Sequence, residues 1–213
     1  MIVRQFYTNN LSINDFFELQ NDALNKVPGL VGLSHIHNNT GAALMTKGYY
    51  EEAIDTFNIA EKYALQPERC VQNAAISSNK LVAKACCYYE VEEQTLLRNL
   101  EKILNNNELL NLPFLSARYV LNIVAIALNQ NFDFGMHLIN SFPVIDLVQK
   151  SLNTNPLGSG QLLLQIGMLE KKHHKLTVLE KLCISNKIIP AQGIREDFIR
   201  RTGYNPCSFS MWF

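Results

Sequence analysis

The sequence predicts an all-α protein, an array of about four antiparallel helical hairpins preceded by a capping helix. Three observations carry this. Apolar residues recur three and four apart along most of the 213 residues, while alternating, strand-like runs are scarce. Turn signals fall at Gly48, near Glu90, near Gln130 and near Lys171, at intervals of 42, 40 and 41 residues. An apolar stripe at helical spacing follows each turn: Ala53, Ile54, Phe57 and Ala60; Leu96, Leu97, Leu100, Ile103 and Leu104; Met136, Ile139 and Phe142; Leu176, Leu179 and Leu182. One hairpin cannot bury its own apolar face, so recurrence at this length predicts stacking of successive hairpins.

The elements follow in order. Ser12, with Asp15 three residues on, has the form of a helix N-terminus and predicts a first helix over 13–25, ended by Pro28–Gly29. A second helix over 31–46 turns at Lys47–Gly48 into a third over 50–64, and Pro67 marks the next boundary. The predicted organisation is a capping helix in 1–30, helical hairpins in 31–190, and a short basic helix with an aromatic tail in 191–213.

Composition narrows the function classes. Lys plus Arg and Asp plus Glu are both 19, so the formal charge is zero and no basic surplus points to nucleic acid. The opening MIVRQFYTNNLSINDFF lacks the apolar centre of a signal peptide. No run approaches the roughly 20 apolar residues of a membrane helix, so a cytoplasmic protein without a membrane span is expected. Cys70, Cys86, Cys87, Cys183 and Cys207 are odd in number and lack CxxC spacing, which predicts reduced thiols rather than disulfides.

The stretch GAALMTKGYYEEAIDTFNIA at 41–60 is the most specific in the chain. Gly41, Leu44, Gly48, Tyr50, Ala53, Phe57 and Ala60 resemble the tetratricopeptide repeat (TPR) pattern. Gly41 and Ala53 are small where two helices would approach closely, and Gly48 suits a left-handed helix end. Phe57 and Ala60 supply large and small parts of an interlocking face. His37 stands where the family carries a bulky residue, and Pro67 arrives two residues late. NQNFDFG at 129–135 is similar in part, with Phe132 and Gly135 in the places of Tyr50 and Ala53. The resemblance implies a divergent TPR-like α-solenoid with a period near 41.

It also implies a site. Ligands of TPR arrays lie against the first helices of successive repeats, which corresponds here to His35, Asn38, Ala42 and Met45, with Asn39 adjacent. Such a groove would hold a peptide or a partner's helix, with Asn38 and Asn39 offering donors and acceptors to main chain. The competing reading covers this face with the N-terminal helix. Chaperone-tail binders of the family carry Lys and Asn at the places of Asn38 and Ala42, so acidic chaperone tails are not expected.

Other polar clusters read as structure. His35 and His37 are two apart and point to different sides of a helix, so no shared metal is expected. His173 and His174 sit among Lys171, Lys172 and Lys175, which oppose a cation. Cys86 and Cys87 lack further zinc ligands at usable spacing. Phosphate loops, nucleophile elbows and paired-His metal helices are missing, and neither catalysis nor a cofactor is predicted. The C-terminal RRTGYNPCSF resembles half of an AraC-type DNA-binding unit, but the chain stops where its second helix would continue. The expected function is therefore protein or peptide binding of the adaptor or scaffold type. The alternatives are a peptide-sensing regulatory module, acting on transcription, and a helical enzyme of unrecognised type.

Overall fold

The computed structural model describes residues 12–26, 29–64, 70–87 and 90–154, and the described residues fold as helices without strands. In chain order these are α1 (Ile13–Lys26), α2 (Leu30–Thr46), α3 (Tyr50–Tyr63), α4 (Cys70–Cys86), α5 (Glu93–Leu104), α6 (Asn107–Leu110), α7 (Pro113–Gln130), α8 (Phe132–Ser141) and α9 (Val144–Thr154). No described helix is long and apolar enough to cross a membrane. The chain divides into two compact units between Val91 and Glu92. That boundary falls inside the predicted second hairpin, after α4.

In the first unit, α2 packs against α1, α3 and α4, and α3 also packs against α4. The local chemistry behind these elements is explicit. Ser12 and Asp15 cap each other: the Asp15 amide donates to Ser12 Oγ at 3.2 Å, and the Ser12 amide donates to Asp15 Oδ2 at 3.2 Å. In the turn between α2 and α3, Gly48 has φ +85, its amide donates to Met45 O, and the Tyr49 amide reaches back to Leu44 O. This paired closure satisfies carbonyls that the helix end would leave open, and its left-handed residue favours glycine.

The α2–α3 seam follows from residue size. A Cβ on Gly41 would lie 2.6 Å from the Phe57 ring, so only a glycine admits that ring. Ala53, Phe57 and Ala60 are fully buried on α3, and Ser34 Oγ donates to Ala60 O at 3.1 Å. Lys80 of α4 pairs with Glu61 of α3 at 2.6 Å on the half-exposed side.

The second unit is built around α7, which packs against α5, α6, α8 and α9. Every residue of α7 from Ser116 to Leu128 is buried, the mark of a helix surrounded by others. Pro113 begins it, where the missing amide hydrogen is no loss. Asn131 alone separates α7 from α8 and caps α8, its Oδ1 accepting from the Phe134 amide at 3.2 Å. Phe132 opens α8 as Tyr50 opens α3. Gly135 is buried, and a Cβ there would meet Leu128 Cδ2 at 2.6 Å and the Leu128 backbone nitrogen at 2.7 Å.

Three helix boundaries agree with the sequence reading to within a residue: α1, α2 and α3. The single-turn α6 is an addition to that reading; Asn106 caps it, accepting from the Leu109 amide at 3.0 Å. Pro67, the fourth predicted turn near Lys171 and the tail in 191–213 lie outside the described residues.

Candidate functional site

The five residues assigned to a binding face all lie on α2, but in different environments. His35 is exposed and Asn39 is half-buried. Asn38, Ala42 and Met45 are buried, with Ala42 wholly enclosed. Asn38 Oδ1 accepts from Asn79 Nδ2 of α4 at 3.1 Å, a buried contact between residues 41 apart in sequence. Its carboxamide is thereby directed at α4, within the same unit.

Helical geometry separates these environments. Asn38 lies about 100° around α2 from His37, whereas His35 and Asn39 lie near the opposite side. Gly32, His35, Ile36 and Asn39 follow the i, i+3, i+4, i+7 pattern of one helix face, and each is exposed or half-buried. Sequence reasoning does not single out Gly32 and Ile36. Their spacing relative to His35 and Asn39 is the signal that could have found them. The strip therefore combines one imidazole, one carboxamide, one aliphatic side chain and one position without a side chain. It can take hydrogen bonds from a peptide backbone and cover a small apolar residue, while the buried Asn38, Ala42 and Met45 hold the helix beneath it.

His37 behaves differently from His35, as their two-residue separation requires. It is buried, its Nδ1 lies 3.3 Å from Gln20 Nε2 of α1, and its ring stacks on Tyr63 with centroids 5.7 Å apart. Burial pulls its pKa below the ordinary value of 6.5, favouring the neutral ring. Cys86 and Cys87 are half-buried at the end of α4. Burial, then the carboxylates of Glu51 and Glu52, raise the Cys87 pKa and keep it protonated. Among the described residues, no three His, Cys, Asp or Glu side chains gather as a metal site.

In the second unit, Arg118, Tyr119, Asn122 and Asn129 fall within about a 100° arc of α7. Arg118, Tyr119 and Asn122 are buried there, with the Arg118 guanidinium 6.0 Å from the Phe114 ring centroid. Tyr119 Oη has no hydrogen-bond partner among the described residues, and burial raises its pKa well above that of a free phenol. No protein-family model, curated protein or solved structure matches this chain.

Proposed function

We propose that the chain is a non-catalytic, cytoplasmic adaptor that binds a peptide segment or partner helix through stacked, TPR-like helical hairpins. The observation that carries this reading is the Asn38–Asn79 hydrogen bond. It joins side chains 41 residues apart, the interval that separates the predicted turns, and so supports successive first helices stacking in register. The Gly41–Phe57 approach and the left-handed Gly48 add support, because they are the features on which the family resemblance rests.

The binding face of this reading is the open strip of α2. His35 and Asn39 would hydrogen-bond a ligand's main chain, and Ile36 would cover an apolar side chain, with Gly32 allowing close approach. Asn38, Ala42 and Met45 contribute from beneath by fixing α2. A strip held by a packed seam is ordered before the ligand arrives, so little side-chain freedom is lost on binding.

The test is selection of a random peptide library on the full chain, followed by affinity measurement with His35→Ala/Asn39→Ala. The reading predicts an enriched peptide whose affinity falls about tenfold in the double variant, roughly two modest hydrogen bonds, with the unfolding midpoint unchanged. No enriched peptide, or one bound equally by both chains, would remove the proposal.

A further inference from the structure

We draw no further inference here: the strongest candidate, the buried arc of α7 on which the Tyr119 hydroxyl lies without a hydrogen-bond partner among the described residues, carries nothing, because nothing among those residues shows a cavity beside that hydroxyl or what group would meet it.

Discussion

Asn79 donates to Asn38 across 3.1 Å inside the first unit, linking two helices through side chains 41 residues apart. Removing one partner leaves the other's polar group buried, which is more damaging than removing both. Asn79→Ala is expected to lower unfolding free energy by about 1–3 kcal/mol. The paired Asn38→Leu/Asn79→Leu change should recover part of that loss. Urea unfolding of both variants measures the difference, and a paired variant no more stable than Asn79→Ala would contradict it.

Glycines 41 and 48 should respond to alanine for different reasons. Gly41→Ala would ordinarily raise helix propensity by about 1 kcal/mol, but its methyl would overlap the Phe57 ring. Overpacking prevails, with a net loss of about 1–3 kcal/mol expected. Phe57→Leu in the same chain should relieve part of it. A gain in stability from Gly41→Ala alone would mean that the seam is wider than described.

At Gly48 there is no obstruction, since a Cβ there would have nothing within 4 Å. The cost of Gly48→Ala comes from the backbone, where φ is +85, and should be about 1–2 kcal/mol. Gly48→Asn should cost less, because asparagine tolerates the left-handed region. Comparing thermal midpoints of the two variants tests this order.

Much of the first unit is legible in the sequence, because it is local. Ser12 with Asp15, and Gly48 after Thr46, mark helix ends through groups within a few residues of one another. Gly41 and Phe57 are readable as a small–large pair since the hairpin between them is short. The environment of α2 is less accessible. Whether Asn38 faces a ligand or another helix depends on Asn79, which lies in α4. Ala42 and Met45 read as either groove or core, since their composition suits both. The short α6 leaves little trace because a four-residue helix shows no periodicity, and Asn106 as its cap resembles any turn asparagine.

His37 should make stability depend on pH. Its folded pKa lies below 6.5, so the unfolded chain takes up this proton first as the solution is acidified. Its contribution to stability is full above the unfolded pKa, declines as pH falls below 6.5 towards the folded value, and levels beneath it. His37→Phe keeps a ring for stacking on Tyr63 and removes the titration. Urea midpoints from pH 7.5 to pH 5 should therefore fall more steeply in wild type than in the variant, and parallel slopes would contradict the assignment.

Tyr119 places a hydroxyl without a described partner in the interior of α7. Tyr119→Phe removes that group and retains the ring's packing, so it should be neutral or stabilising by up to about 1 kcal/mol. A loss larger than about 1 kcal/mol in calorimetric or urea unfolding would show that the hydroxyl makes a stabilising contact.

The most direct test of peptide binding by α2 is an amide NMR titration of the full chain with a peptide selected on it. Binding at the open strip predicts shift changes concentrated on Gly32, His35, Ile36 and Asn39, with smaller changes at Asn38 beneath them. Changes confined to α7 and its neighbours, with α2 unmoved, would contradict it.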